Sequence, residues 1–276
     1  MMKNNLACVL SIAGTDPSGG AGINADIKAI SATGGYAAAV ITALVAQNTQ
    51  GVQFIQPVDA DFVDKQMVSV LSDLTIQAIK IGMLHDEHII NIVYKTLKKF
   101  KHIPIILDPV MVAKDGSHLL QLKTLNHLKE KLLRLASLVT PNLFEAEHLL
   151  DEKINNKAEM QAAATTLGQT LQVNVLLKGG HLKEQQCSDV FYSLQEDTCY
   201  WFREKRVITT NTHGTGCTLS AAIASYFAQG FSLLKAIEKA KYYLTQAIIS
   251  GKRYHIGQGF GPVDHFYFLE NRLHDI

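Results

Sequence analysis

Asn211-Thr212-His213-Gly214-Thr215-Gly216-Cys217-Thr218-Leu219-Ser220 is a glycine-punctuated turn that runs without a break into an apolar helical pattern, Leu219 to Phe227. The first N–H groups of a helix have no partner inside it, and together with the positive end of the helix dipole they favour an anion. His213-Gly214-Thr215-Gly216 is placed to present such groups, and Cys217 falls in the first turn behind them. Two readings fit the decapeptide by itself: an anion-binding loop, or a tight structural turn that buries a small cysteine. What the rest of the chain brings to the same place decides between them.

Upstream of this turn, short apolar runs alternate with helical patterns. Leu6 to Ala13 reads as a strand, followed by a loop, Gly14 to Gly22, and a helix, Ile23 to Thr33. Ala37 to Gln47 reads as one second buried strand and Val52 to Ile55 as a short one, after which Asp59 caps a helix whose face is Phe62, Val63, Met67, Val70 and Leu71. Strands at Ala78–Ile81, Pro104–Leu107, Leu138-Val139 and Val173–Leu177 alternate with helices at His88–Phe100, Leu119–Leu135, from Pro141-Asn142 through Glu145, and at Met160–Leu171. Val190–Leu194 and Tyr200–Arg203 flank a polar connection and read as an antiparallel hairpin at the sheet edge. Beyond the turn come Leu233 to Ile249 as a second helix and an extended glycine-rich tail, Ile256 to Pro262. Strand–helix alternation implies an α/β fold, with a mostly parallel central sheet covered on both faces.

Composition narrows the function classes. With 276 residues, no low-complexity linker and no repeat, the chain reads as a single domain over 1–276. Hydrophobic residues at 47% exclude a disordered chain, and a net charge of +1 gives no general electrostatic case for nucleic acid or an anionic membrane. The apolar start at Leu6–Leu10 meets Asp16 and glycines too soon for a signal peptide, and the longest apolar run, around Tyr36 to Ala46, is shorter than the ~18–20 residues of a membrane helix. Four cysteines without C-x-x-C or metal-type spacing suit a reducing compartment, so the expectation is a soluble, cytoplasmic protein.

Asp16, Gln47, Met83, Asp108, Glu145 and Lys178 each follow a strand in this reading, and the C-terminal strand ends of a parallel sheet converge on one crevice. Two carboxylates (Asp108, Glu145), a lysine (Lys178) and the amides of 213–217 are what holding Mg²⁺ and a polyphosphate requires, namely hard oxygen ligands, a point charge and backbone donors. That set points to phosphoryl transfer, although no Walker A sequence occurs, and the glycines at 14, 19, 20 and 22 lack dinucleotide spacing. Singly, each residue also has a structural reading: Asp108 as a turn residue before Pro109, Lys178 as a solvated strand end, Glu145 as an exposed helix charge. Asp26 lies one turn into its helix, either idle near the dipole or aimed over the glycine loop at a ligand. Gln47 carries a donor and an acceptor on one plane, suited to a heterocycle edge or to closing its own turn.

Ala13-Gly14-Thr15-Asp16-Pro17-Ser18-Gly19-Gly20-Ala21-Gly22, Ala46-Gln47-Asn48-Thr49, Lys80-Ile81-Gly82-Met83-Leu84, Leu107-Asp108-Pro109-Val110-Met111, Thr140-Pro141-Asn142 with Glu145, and His213-Gly214-Thr215-Gly216-Cys217 resemble the hydroxymethylpyrimidine/phosphomethylpyrimidine kinases of thiamine biosynthesis. The resemblance runs from about Leu6 into the tail. It implies a ribokinase-like three-layer α/β/α sandwich and two successive ATP-dependent phosphorylations at one site. By motif, Gly14, Asp26, Val45, Gln47 and Met83 line the pyrimidine pocket; Asp108 and Glu145 serve Mg²⁺; Asn142, Lys178 and His213 face the ATP phosphates; and the amides of 213–216, Gly214, Thr215 and Gly216 among them, form an anion hole. It also implies a homodimer, while the charge balance gives the expectation of no nucleic-acid or membrane partner.

Cys217 stands where ribokinase-like sugar kinases carry an aspartate base, and cysteine there is the pattern of the pyrimidine kinases. A thiol in the first turn of a helix has its pKa lowered by the dipole, which would make Cys217 a helper base beside the dominant amides. The rival functions are a pyridoxal kinase or dual-specificity kinase, since pyridoxal also presents a hydroxymethyl group on a flat nitrogen heterocycle, and a non-catalytic pyrimidine sensor. Lys114-Asp115-Gly116-Ser117, after Asp108-Pro109, is expected to form a mobile flap over the site.

Overall fold

Side chains alternate along each strand, and here the alternation sorts them between two apolar layers. Val9, Ala78, Ile106, Leu138, Leu176 and Phe191 pack on one face, while Leu10, Ile12, Ile79, Ile81, Ile105, Leu107, Val139, Val175, Leu177 and Val190 pack on the other. The structure, a computed structural model, describes residues 6–111, 124–182 and 185–269. Its strands are β1 (Cys8–Ala13), β2 (Tyr36–Ile41), β3 (Ala43–Asn48), β4 (Gly51–Pro57), β5 (Ala78–Ile81), β6 (Ile105–Leu107), β7 (Leu138–Val139), β8 (Asn174–Lys178), β9 (Gln186–Ser193) and β10 (Thr198–Lys205). Eight of them form one sheet in the order β10-β9-β8-β7-β6-β5-β1-β2. The pairs from β2 through β8 are parallel, and β9 and β10 add an antiparallel edge.

Helices α1 (Gly22–Ala32), α7 (Thr215–Ala228) and α8 (Leu233–Gly251) cover the first face. Helices α2 (Ala60–Asp73), α3 (Glu87–Leu97), α5 (Leu143–Leu150) and α6 (Lys157–Leu171) cover the second, together with α4 (Leu125–His127) and the π and 3-10 turns that continue it to Leu135. Helices on both faces give three layers. A parallel sheet buried on both sides needs apolar residues at nearly every position, which is why β5 and β6 are buried throughout. No helix among the described residues is long and apolar enough to cross a membrane. Of the expected helix Leu119–Leu135, only the part from Thr124 lies within the described residues, and the expected flap at 114–117 lies outside them.

The expected single strand Ala37–Gln47 is two strands in two sheets. At Thr42 the chain turns, with its N–H bonded to Ala13 O (3.0 Å) and its hydroxyl to Met83 O (2.7 Å). Beyond that pin β3 leaves the main sheet and pairs antiparallel with β4. Ala43 and Val45 bury against Met83, while Leu44 and Phe54 remain exposed. Apolar periodicity ran through the break because both halves bury alternate residues, each against a different partner.

Helix capping singles out one end of the molecule. Asp59, Asp86, Asn142, Asn156 and Ser232 each accept a hydrogen bond from the first turn of α2, α3, α5, α6 and α8. Helices α1 and α7 have Ala21 and Gly214 at their N-caps and no side-chain cap bond. Both begin at the C-terminal edge of the parallel strands.

Candidate active site

Asp108 follows β6, Asn142 follows β7 and Lys178 closes β8, so adjacent parallel strands deliver the three to one edge. Lys178 Nζ lies 2.6 Å from Asp108 Oδ1, which also accepts from Thr140 Oγ1 at 3.0 Å. The other oxygen, Oδ2, faces the start of α7: a Cβ added at Gly216 would sit 3.4 Å from it and 3.3 Å from Lys178 Nζ. Glycine at 216 thus leaves an opening between helix amides, an ammonium and a carboxylate. Burial would lower the pKa of Lys178, but Asp108 and Glu145 outweigh it and hold the ammonium above its ordinary range.

Glu145 is 3% exposed and is aimed by a reciprocal capping box: Asn142 N donates to Glu145 Oε2 (2.7 Å) and Glu145 N donates to Asn142 Oδ1 (2.9 Å). Burial pushes its carboxyl up to about 7, with Asp108 adding to the rise while Lys178 and the bonds from Asn142 and Met111 oppose it. Among the described residues no cluster of three acidic, histidine or cysteine groups forms a closed metal cage. Two carboxylates, with Asp108 Oδ2 lacking a hydrogen-bond partner among the described residues, do suit Mg²⁺, which keeps waters and takes substrate phosphates as its remaining ligands.

At the start of α7, Gly214 has φ 74°, and Thr218 N is the first to make the regular intrahelical bond, to Gly214 O at 2.9 Å. The N–H groups of Gly214, Gly216 and Cys217 have no partner among the described residues, and that of Thr215 has only a 3.4 Å contact to Thr212 O. The Gly22 N–H lies beside the Cys217 thiol, so the N-termini of α1 and α7 meet there. The lowered pKa expected for Cys217 is corrected here. Burial pushes the thiol up to about 11, against the pull of Lys80 and Gly22, because desolvation of a thiolate outweighs one helix turn's dipole.

The apolar side of the crevice is built from Gly14, Val45 and Met83. Met83 Sδ stands where a Cβ at Gly14 would meet it at 3.2 Å, and Val45 N donates to Thr15 Oγ1 (3.0 Å), tying β3 to the first loop. Gln47, half-buried at the end of β3, brings its amide 3.2 Å from His213 Nε2, which lies 2.7 Å from Asp16 Oδ2. Burial alone would raise Asp16, yet the bonds from His213, Ser18 and Ala21 hold its carboxyl below the usual range.

Two sequence expectations are corrected by this geometry and a third is narrowed. Asp26 does not line the pocket: it is 0% exposed, with Lys80 Nζ at 2.7 and 2.8 Å and Ser11 Oγ at 2.6 Å from its oxygens, beneath the floor. His213 does not face a phosphate, since its ring is committed to Asp16 and its N–H donates to Gly261 O at 3.0 Å. Asn142 spends Oδ1 on the cap of α5, leaving only its NH₂ for a ligand.

Sequence reading missed Lys80, which sits on the α1 and α7 face of β5 and is 0% exposed. Burial would lower it, but Asp26, with Cys217 and Asp108 behind, holds the ammonium well above its ordinary range. The available signal was a lysine inside Ala-Ile-Lys-Ile, where a fully buried strand leaves a charge no route to solvent. Also missed was the pair Lys241–Asp189, whose carboxylate accepts Gly179 N at 2.9 Å and so fixes the strand end beside Lys178.

Unpaired helix amides, a buried lysine and two carboxylates at the C-terminal edge of a three-layer α/β/α sheet define a phosphotransferase with a ribokinase-like fold. Comparison with known proteins agrees. A family model described as phosphomethylpyrimidine kinase matches residues 16–264, and the chain belongs to that family. It is 47% identical over 262 residues to the hydroxymethylpyrimidine/phosphomethylpyrimidine kinase of Rhizobium meliloti (strain 1021), covering 95% of this chain and 97% of that protein. It is 42% identical to a thiamine biosynthesis bifunctional protein of Geobacter sulfurreducens, over 95% of this chain and 53% of that one. The structure of Bacillus subtilis pyridoxal kinase in complex with ADP superposes with a TM-score of 0.88 at 33% identity, covering 96% of this chain and 99% of that chain.

Proposed function

We propose that this protein, as one kinase domain, transfers the terminal phosphoryl group of ATP to the hydroxymethyl oxygen of 4-amino-5-hydroxymethyl-2-methylpyrimidine, and then to the resulting monophosphate, in thiamine biosynthesis. The observation that carries the reading is the opening at Gly216, where free amides of α7, Lys178 and Asp108 Oδ2 face one point. The kinship with hydroxymethylpyrimidine/phosphomethylpyrimidine kinases supplies the substrate.

Phosphoryl transfer places charge on the equatorial oxygens of the moving group, so catalysis rests on donors fixed before it arrives. The amides of Gly214, Gly216 and Cys217 point at that group, and Lys178 supplies a point charge held in place by Asp108. Asp108 and Glu145 would hold Mg²⁺, which neutralises phosphate charge when bound. Gly14, Val45 and Met83 supply an apolar wall for a flat ring, and Gln47 supplies its polar reader. Cys217 lies beside the reacting oxygen as a neutral thiol.

The free thiols of Cys8, Cys187, Cys199 and Cys217 support a reducing cytoplasm. Homodimerisation rests on family resemblance, and Leu44 and Phe54 on β3 and β4 are among the exposed apolar residues available to it. Light scattering of the purified protein tests that assembly.

The deciding experiment follows ADP release with the pyrimidine alcohol, its monophosphate and pyridoxal in parallel, and identifies products by mass. Mono- and diphosphate formed in sequence, with kcat/KM for the pyrimidine well above that for pyridoxal, is the expected result. A preference for pyridoxal would make this a vitamin B6 kinase. Binding of the pyrimidine without ATP consumption would make it a sensor.

A further inference from the structure

The Asp16 carboxylate is ringed by groups able to donate. Oδ1 accepts from Ser18 N (2.9 Å) and Ser18 Oγ (2.7 Å); Oδ2 accepts from Gly20 N (3.1 Å) and Ala21 N (2.7 Å) and lies 2.7 Å from His213 Nε2. The backbone N–H groups of Ser18, Gly20 and Ala21 can only donate and, with the Ser18 hydroxyl, hold the carboxyl below its usual range, so it is ionised and the hydrogen between it and the imidazole belongs to Nε2. The ring has little freedom to move away. His213 is 7% exposed, a Cβ at Gly20 would collide with its Cδ2, and its backbone is bridged to Pro262.

The Gln47 amide nitrogen lies 3.2 Å from that same Nε2. A nitrogen that carries the hydrogen has no lone pair to accept with, so an amide NH₂ turned toward it sets donor against donor. With the amide turned over, its carbonyl oxygen takes the nitrogen's place and can share the Nε2 hydrogen with Asp16 in a three-centre bond. A planar amide exchanges these two faces by half a turn with no change in shape.

We propose that the Asp16–His213 pair is a positioning device for Gln47: it turns the amide carbonyl toward His213, leaves the NH₂ for the ligand, and so sets the pocket to read a hydrogen-bond-accepting ring nitrogen. The inference rests on the proposed role of Gln47 as reader of the heterocycle. Its consequence is selection among flat rings by the character of one edge atom. A ring nitrogen is accepted there, and a C–H or N–H is disfavoured because it leaves the amide donor unpaired.

The test compares wild type with Gln47→Ala, His213→Phe, His213→Gln and the Gln47→Ala/His213→Phe double variant. Each is assayed for KM and kcat on the pyrimidine alcohol and on the two pyridine analogues in which one ring nitrogen is replaced by C–H. In wild type, one analogue should show a KM about tenfold higher than the other. His213→Phe keeps a flat ring over Gly20 but loses the donor; it should raise KM for the pyrimidine about tenfold, change kcat less than threefold, and erase the preference between analogues. His213→Gln restores an N–H near the position of Nε2 and should recover most of the KM. The double variant should be no worse than Gln47→Ala alone, because the two residues act as one unit.

Losses in the double variant that multiply within twofold, or an analogue preference that survives in His213→Phe, overturn the proposal. So does a fall in kcat at unchanged KM, which would assign His213 to the anion loop instead. If His213→Phe does not fold, the His213→Gln variant decides: KM and analogue preference like wild type support the device, and the loss of both refutes it. A wild-type protein that does not phosphorylate the pyrimidine sinks the proposed function itself, a result distinct from any of these.

Discussion

Gly216→Ala puts one methyl group at the point where α7, Asp108 and Lys178 meet. The added carbon lies 3.3 Å from Lys178 Nζ and 3.4 Å from Asp108 Oδ2, so the flexible end of one lysine must give by a few tenths of an ångström and nothing else moves. Position 216 lies in the first turn of a 14-residue helix, where replacing glycine with alanine contributes up to ~1 kcal/mol of backbone entropy and propensity. The fold should therefore be as stable as wild type or slightly more so, with a Tm shift of at most about +2 °C for a chain of this size. Activity should behave differently. A phosphoryl oxygen needs to come within about 3 Å of the Gly216 N–H, and the methyl occupies that approach. Loss of one preorganised donor to a developing anion costs about 10²–10³ in kcat.

Gly214→Ala is the paired control, because there the backbone rather than the ligand is obstructed. With φ at 74°, an L-residue is strained by roughly 1–2 kcal/mol, and the new carbon would fall inside contact distance of Gly20 O in the backbone of the first loop. That variant should lose both stability and turnover. Differential scanning fluorimetry and ADP-release kinetics on the two proteins separate the effects. A Gly216→Ala enzyme that keeps kcat within threefold of wild type refutes the assignment of the phosphoryl group to the N-terminus of α7. A Gly214→Ala protein as stable as wild type refutes the packing of that turn on Gly20.

Three further outcomes follow from the buried charges. Burial pushes Glu145 up to about 7 in the folded protein against an ordinary carboxyl value of 4.5, so its protonated form stabilises the ligand-free fold below about pH 4.5 and that contribution is lost as pH rises through about 7; Tm of the free protein should fall across this window. Over the same range the ionised carboxylate becomes available, so kcat/KM should climb toward a plateau above about pH 8, and Glu145→Gln should remove both dependences. Lys80→Met leaves Asp26 buried without its cation and should cost about 3–5 kcal/mol in urea denaturation, whereas Lys80→Met with Asp26→Leu should lie within about 1 kcal/mol of wild type; equal stability of the single variant would contradict the ion-pair assignment. With its thiol pushed up to about 11, Cys217 is almost wholly neutral at pH 7, so Cys217→Ala should lower kcat by less than tenfold, and a loss beyond a hundredfold that Cys217→Ser restores would reinstate it as a base.

Strand positions were legible where burial on both faces leaves only apolar residues. Ala78–Ile81 and Leu138–Val139 have the same limits in the sequence reading and the structure, and the β9–β10 hairpin lies where a polar connection separated two apolar runs. Periodicity carries no information about partners. Ala37–Gln47 therefore read as one strand, although Thr42 divides it between the main sheet and the β3–β4 pair. The ends of β6 and β8 delivered Asp108 and Lys178 as anticipated, with Glu145 just beyond β7, because parallel order forces those ends together. What each side chain does there was not legible. His213 and Asp26 lie in the predicted stretches, but their partners, Asp16 and Lys80, are 197 and 54 residues away in sequence. Polar groups committed to such distant partners look the same in sequence as groups left free for a ligand.

The surroundings of Glu145 give that residue a particular place in the chemistry. Asp26, Asp108 and Glu145 face Lys80 and Lys178 in one largely buried cluster, so three acids meet two bases and full ionisation leaves one negative charge uncompensated. Low dielectric makes that charge costly, and the proton that cancels it goes to the acid least able to share a cation. Asp26 receives both contacts from Lys80, and Asp108 takes Lys178 at 2.6 Å, while Glu145 has only backbone donors on its carboxylate. Cys217 is held neutral and the two lysines are held protonated, and burial raises Asp26 as well as Glu145, so the carboxyl of Glu145, pushed up to about 7, is one whose proton moves near neutral pH. The capping box with Asn142 fixes where that carboxylate points without adding another charge. A positive charge entering beside Asp108 Oδ2 can thus be met by release of one proton from a side chain already aimed, with no rearrangement of the backbone that presents the amides of α7.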